Sequence, residues 1–465
     1  MKDFNIEERL VQSDSDFNIN KSVLTNRPTI KKTLSPYRFI IVIVYFLLNL
    51  LNGMHWVTFA SCATRFGKFY HLNNYLVDIF SLLFMIIYPI SCIPEVYIID
   101  NISIYIGLSI SSLLLIVGSF LKVFIKTSLI FAYIGQLLTA LFQPAILYCP
   151  GKIASIWFDD ENRNLVTSTC HVSKFLGIIF GYLTHIFIIH ENTVNPKMWR
   201  DSFEKYLLIE FIITLICGIL FLIFMRNKPK DSPSLPHENN SKLTMAISNL
   251  RKNTNYIKLL ISLTCIISFL NIFGTLYNSY MNLYGVEDST ASFTIASSFF
   301  LGIIFALNIG STADKNQKYK LVMIICNIIS LVAYVITTIL METINKKKLG
   351  LVSFICYTLI IGSSAPIYIC GMNFVSVLTY PNGDSVSGRV IITCSNIMGI
   401  FGIIICDTFR TYLSYYKFFT NVFCILLFAI SLVSLLFINS KSIRNKKDIR
   451  QENSILFEKG DEKEA

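Results

Sequence analysis

Stretches of about 20 predominantly apolar residues alternate with short polar gaps along almost the whole chain, and that is the length an α-helix needs to cross the hydrocarbon core of a bilayer. Twelve such runs begin near positions 38, 74, 103, 128, 164 and 204, and then near 257, 291, 319, 349, 389 and 417. Charged residues gather almost wholly in the gaps, as the penalty for placing a charge in lipid demands. The pattern predicts an all-α integral membrane protein with twelve transmembrane helices. The longest gap between runs, Arg226 to Tyr256, is rich in Lys, Asn, Ser and Pro and divides the spans into six and six. The expected organisation is a polar, disordered tail over 1–36, a six-helix bundle over 37–225, a linker over 226–256, a second bundle over 257–439 and a tail over 440–465. The first tail lacks the short apolar segment of a cleavable signal, so the first span is expected to act as an uncleaved insertion signal.

Composition agrees with the pattern: 53% of the 465 residues are apolar and 15% are charged, with 37 Phe and 23 Tyr. A net charge of +11 raises the question of nucleic acid. The basic residues, however, sit in tails and short loops without an aromatic-interleaved patch, so no nucleic-acid partner is expected. Their distribution orients the chain instead. The side holding both tails carries about twice as many Lys and Arg as the other, which makes both termini cytoplasmic, although the run Lys346, Lys347, Lys348 falls on the opposite side. The twelve cysteines lie in or beside apolar runs without a CxxC pair and read as small buried hydrophobes. His55, His171, His185 and His190 share no ligand spacing and read as satisfied or pore-lining side chains, so no metal or cofactor is expected. Paired carboxylates, a nucleophile elbow and a filter loop are all missing from the sequence, which argues against an enzyme and against a channel.

A weak internal repeat relates the two halves. Asp100 closes span 2 and Asp314 closes span 8, each at the entry to the short loop that follows. The second copy, Gly310-Ser-Thr-Ala-Asp314-Lys315-Asn-Gln-Lys318, resembles the loop signature of major facilitator transporters. In that signature a glycine permits close helix contact and an aspartate meets the positive end of a neighbouring helix. The first copy, Pro94-Glu-Val-Tyr-Ile-Ile-Asp100-Asn, keeps little beyond its aspartate.

Several stretches taken together are similar to the feline leukaemia virus subgroup C receptor family of major facilitator transporters. The most specific runs from Gly135-Gln136 through Gln143 to Cys149-Pro-Gly-Lys-Ile-Ala-Ser-Ile-Trp-Phe158. Others are Asn52-Gly-Met-His-Trp56, Asn227-Lys-Pro229, Gly274-Thr-Leu-Tyr277, Leu378-Thr-Tyr-Pro381, Ser387-Gly388 and Ser395-Asn-Ile-Met-Gly399. The resemblance implies a fold of two pseudo-symmetric six-helix halves and a plasma-membrane carrier that acts as a monomer. It also implies an aromatic site in which Trp56 and Tyr277 face each other and hold a quaternary ammonium by cation–π attraction. It places Asn396 and Phe175 where relatives carry glutamines that contact the alcohol end of the substrate, and Lys174 where relatives carry an asparagine. Asp78, Asp100, Gly310, Asp314, Lys315 and Lys318 fall at gating or conformational positions.

Lys174 lies about ten residues into span 5, near mid-bilayer, where an ammonium marks a functional site by default. Facing the cavity, it would repel a cation and favour a carboxylate or phosphate; facing a neighbouring helix, it would need a carbonyl or carboxylate partner. Asp407 and Arg410, three residues apart at the end of span 11, read as a surface ion pair. No acidic residue is expected at mid-membrane, so no proton-coupling carboxylate is anticipated. Three readings remain open: an alternating-access carrier of choline or ethanolamine working by facilitated diffusion, a carrier of haem or another amphipathic or anionic solute, and a membrane receptor that binds a solute without moving it.

Overall fold

The structure, a computed structural model, describes residues 35–439 apart from 142, 189–195, 229–242, 317, 345, 380–383 and 413–415. Most of both tails, most of the linker, His190 and the Tyr380-Pro381 pair therefore lie outside the described residues. Residues 34–438 form one compact unit.

Twelve helices among the described residues are long and apolar enough to cross a membrane. Spans 1 to 6 are Tyr37–Tyr70, Asn74–Asn101, Ile104–Lys126, Leu129–Trp157, Leu165–Ile188 and Met198–Phe224. Spans 7 to 12 are Thr254–Asn282, Asp288–Ala313, Tyr319–Thr343, Lys348–Thr379, Val386–Arg410 and Lys417–Leu436. The sequence pattern misplaces the start of span 6 most, at 204. The helix begins earlier because Trp199 and Phe203 carry its first turns into an aromatic cluster with Phe59, Phe66 and Phe69, while Arg200 and Glu204 pair along its surface at 3.0 Å.

Burial sorts the spans. In span 7, 89% of the apolar window is enclosed by protein, against 28% in span 6 and 33% in spans 9 and 12, so span 7 is central and the other three face outward. The outward faces carry large apolar side chains such as Ile93, Ile216, Phe401 and Leu436. Polar residues such as Asn49, Asn52, Ser262, Ser268 and Asn327 are turned inward. This is the distribution a lipid solvent selects, because a polar group facing hydrocarbon has nothing to bond to.

Close backbone approach sets two of the packings. A Cβ on Gly177 of span 5 would fall on the carbonyl oxygen of Leu50 in span 1, and one on Gly53 of span 1 would fall on the carbonyl oxygen of Lys174. Gly118 of span 3 and Gly135 of span 4 meet in the same way, each Cβ position lying 2.5–2.6 Å from the other's carbonyl oxygen. Small residues allow such approach where packing, not water exclusion, drives helix association. Gly310 differs: a Cβ there would make an ordinary 3.7 Å contact with Ile369, so this position does not require glycine for close packing.

Candidate substrate site

Span 5 is held against span 1 by the Gly53 and Gly177 contacts, and that packing brings Lys174 beside Trp56. The Lys174 ammonium lies 5.1 Å from the centre of the Trp56 ring, within cation–π range. Both residues line a cavity of about 520 Å³ that also takes in His171 and Phe175 of span 5, Asn271 of span 7, Phe299 of span 8, Tyr368 of span 10 and Asn396 of span 11. Of the two alternatives for Lys174, the structure selects the cavity, and no Asp or Glu is among the described residues lining it.

The cavity walls are fixed by packing and hydrogen bonds. Phe175 stacks on Phe299 at 5.6 Å and meets the edge of Tyr368 at the same distance. The Tyr368 hydroxyl lies 3.3 Å from His171 Nδ1. Asn271 Nδ2 donates to Asn396 Oδ1 at 3.2 Å, which orients that amide and leaves Asn396 Nδ2, buried, without a partner. The Trp56 indole runs against Gly274 of span 7, where a Cβ would approach its edge to 2.7 Å. The Tyr182 hydroxyl donates to the Gly274 carbonyl at 2.9 Å and braces the same contact.

Tyr277 is not in this cavity. One turn beyond Gly274, it packs against Phe273 and Tyr357 and lines a second, mostly apolar cavity with Tyr280, Tyr334, Asp407 and Arg410. The expected pairing of Trp56 with Tyr277 is therefore not what the structure presents: Trp56 meets the glycine backbone of span 7, and Lys174 occupies the ring face expected to receive a ligand.

Two further expectations are corrected. Asp407 and Arg410 do pair, at 3.7 Å, but Asp407 is buried. Span 11 packs against span 2 there, and Asp407 lies beside Asp78, which is also buried. The second correction concerns mid-membrane carboxylates. Glu210 of span 6 is completely buried and sits in a cluster with Lys122 of span 3 and His55 of span 1. Its Oε2 accepts from Lys122 at 2.9 Å and its Oε1 from Thr58 at 2.5 Å. His55 Nδ1 lies 2.7 Å from Lys122 Nζ, and its Nε2 lies 2.8 Å from Thr214, whose hydroxyl donates to the Glu210 carbonyl. A neutral imidazole protonated on Nε2 satisfies this network, with one ammonium and one carboxylate balancing in charge. Gln136 donates to the His55 carbonyl at 2.9 Å and to that of Phe80 at 3.2 Å, tying span 4 to spans 1 and 2.

The remaining positions fall outside the cavity. Asp100 accepts from Tyr148 at 2.5 Å and from Lys152 at 2.7 Å, so its partner is a lysine side chain of span 4 and not a helix terminus. The side chains of Asp314 and Lys315 lie outside the described residues, and exposed Lys318 precedes the first turn of span 9. The two halves of the chain also meet through Asn278 of span 7, which donates to the Ser61 carbonyl at 2.6 Å, and through Tyr75 and Thr408 at 3.4 Å.

Comparison with known proteins settles the family. The Major Facilitator Superfamily profile matches residues 41–403. The chain belongs to that superfamily. It is 25% identical over 381 residues to the human choline/ethanolamine transporter FLVCR2, an alignment covering 79% of this chain and 71% of that protein. It is 24% identical over 387 residues to solute carrier family 49 member A3 of Danio rerio, covering 80% and 79%. Among solved structures it matches the E. coli fucose:proton symporter FucP with a TM-score of 0.63 at 13% identity, covering 87% of this chain and 100% of that one. It also matches a bacterial homologue of the lysosomal transporter Spinster, captured facing inward, with a TM-score of 0.65 at 12% identity and coverage of 92% and 98%. The protein is thus a multi-pass membrane transporter of the major facilitator fold and not an enzyme.

Proposed function

We propose that this transporter moves choline or a related amino alcohol such as ethanolamine, and that the cavity bounded by Trp56, Lys174, Phe175 and Asn396 is its central site. The observation that carries the reading is the cation already seated on the Trp56 ring: the indole face is oriented and desolvated so that an ammonium rests on it. Cation–π attraction is worth about 2 kcal/mol or more in such surroundings and suits a quaternary ammonium, which has no hydrogen to donate. The relatives named as choline/ethanolamine transporters point to the same class. Tyr277 is left out of the proposed contact set because it lines the other cavity.

In this reading residues 37–225 and 257–439 rock about the central cavity, and the Asn278–Ser61, Tyr75–Thr408 and Asp78–Asp407 contacts break when the end of the molecule they close opens. With both termini in the cytoplasm of a cell, an inside-negative plasma-membrane potential contributes about 2.3 kcal/mol per 100 mV to entry of a cation, enough for uptake without a coupling ion.

The test is uptake of radiolabelled choline and ethanolamine by proteoliposomes, with equilibrium binding measured in parallel and haem as a competitor. Saturable uptake that rises with an inside-negative potential is expected. Binding without uptake would make the protein a receptor. Uptake inhibited by haem and not by unlabelled choline would assign the cavity to an amphipathic anion.

A further inference from the structure

We infer that, among choline-type solutes, the preferred one also carries an anionic group, a carboxylate or a phosphate, which Lys174 and the amide donor of Asn396 receive; this rests on the aromatic ammonium site proposed above and narrows its solute from choline itself to a derivative bearing that group. Lys174 is the cationic group of the cavity and no carboxylate among the described lining residues faces it. Asn396 Nδ2 is buried and has no hydrogen-bond partner among the described residues. The titratable rings on the wall, His171 and Tyr368, engage each other at 3.3 Å. An oxyanion is the chemical group that satisfies both an ammonium and an amide donor.

The same geometry works against a purely cationic ligand. An ammonium taking the Trp56 face must share it with Lys174 or displace it. Two unit positive charges about 5 Å apart, at an effective dielectric constant of about 20, disfavour binding by roughly two- to three-hundredfold. A zwitterion removes that conflict: its ammonium takes the indole face while Lys174 leaves the ring for its carboxylate or phosphate. Each cation then has a partner; glycine betaine brings no net charge and phosphocholine a net negative one, so neither is drawn in by an inside-negative potential as choline is. Lys174 is in this account a specificity-determining residue, a tethered cation that holds the aromatic face until an anionic group draws it away.

The experiment compares radiolabelled choline, ethanolamine, phosphocholine and glycine betaine, together with a simple organic dicarboxylate, in uptake by and binding to purified wild type, Lys174→Met and Lys174→Arg. Wild type is expected to favour phosphocholine or betaine over choline by at least about tenfold, the two arms separating phosphate from carboxylate. Lys174→Met should reverse the order by removing both the anion's partner and the competing cation, whereas Lys174→Arg keeps the wild-type order. A wild type that prefers choline, or a Lys174→Met protein with the same melting midpoint and an unchanged ratio, overturns the inference and leaves the amino-alcohol reading intact. Uptake of the dicarboxylate alone would sink the amino-alcohol reading while supporting the anion site. Binding of none of the panel to folded protein would overturn both.

Discussion

Replacing Glu210 by leucine removes the one carboxylate that neutralises Lys122 in the interior of the bundle. In the native protein the ammonium lies 2.9 Å from Glu210 and 2.7 Å from the His55 ring nitrogen, and neither side chain of the ion pair has any exposure to solvent. Deleting one member of a buried pair costs about 3–5 kcal/mol, because the survivor keeps its desolvation penalty without its partner. The leucine also strips Thr58 of its acceptor, which adds about 1 kcal/mol. Lys122→Met alone should cost a similar amount by stranding the carboxylate. The double substitution should recover most of the loss, since two apolar side chains of similar volume replace a buried pair at little net change. The coupling between the two sites, the summed single losses less the loss in the double variant, is therefore predicted to be at least about 6 kcal/mol. Ten of the twelve cysteines are buried free thiols, so unfolding in detergent is followed by a thiol-reactive fluorophore, and SDS titration supplies the free energies. Single variants within about 1 kcal/mol of wild type, or additive losses in the double variant, would refute the assignment of this cluster as an ion pair that holds spans 1, 3 and 6 together.

Two further predictions concern helix contacts. Gly177→Val should fail to yield monodisperse protein, because its branched Cβ meets the Leu50 backbone, whereas Gly151→Ala, with open space around it, should leave the stability within about 0.5 kcal/mol of wild type; equal behaviour of the two in size-exclusion chromatography would contradict the packing. Asn278→Ala should loosen the contact between the halves by about 1–3 kcal/mol, seen as a broader, longer spin-label distance distribution between exposed sites in the loops after spans 1 and 7, and an unchanged distribution would count against a gating contact there.

The spans were legible in the sequence because lipid imposes a 20-residue apolar length that no other environment imposes. The error at span 6 arises where that rule stops applying, at a polar and aromatic helix start that protein contacts stabilise outside the apolar run. The candidate site was partly legible: an ammonium in the interior of span 5 and a tryptophan deep in span 1 each stand out against apolar surroundings. What joins them was not, since the face that span 5 turns toward span 1 depends on glycines whose role emerges only when the two backbones meet. The Glu210 carboxylate, by contrast, lay in plain view within Leu-Leu-Ile-Glu-Phe-Ile-Ile, and the intramembrane charge rule that singled out Lys174 applies to it equally. The Asp78–Asp407 contact had no sequence signal, because it joins residues more than three hundred positions apart.

The most direct measurement is saturable uptake of the amino-alcohol panel by proteoliposomes containing Trp56→Ala, with Trp56→Phe and wild type alongside. Alanine is expected to abolish uptake in protein that is destabilised but still folded and monodisperse, and phenylalanine, which keeps a weaker aromatic face, to retain part of it. Undiminished uptake by a folded Trp56→Ala protein would contradict the assignment of this cavity as the transport site.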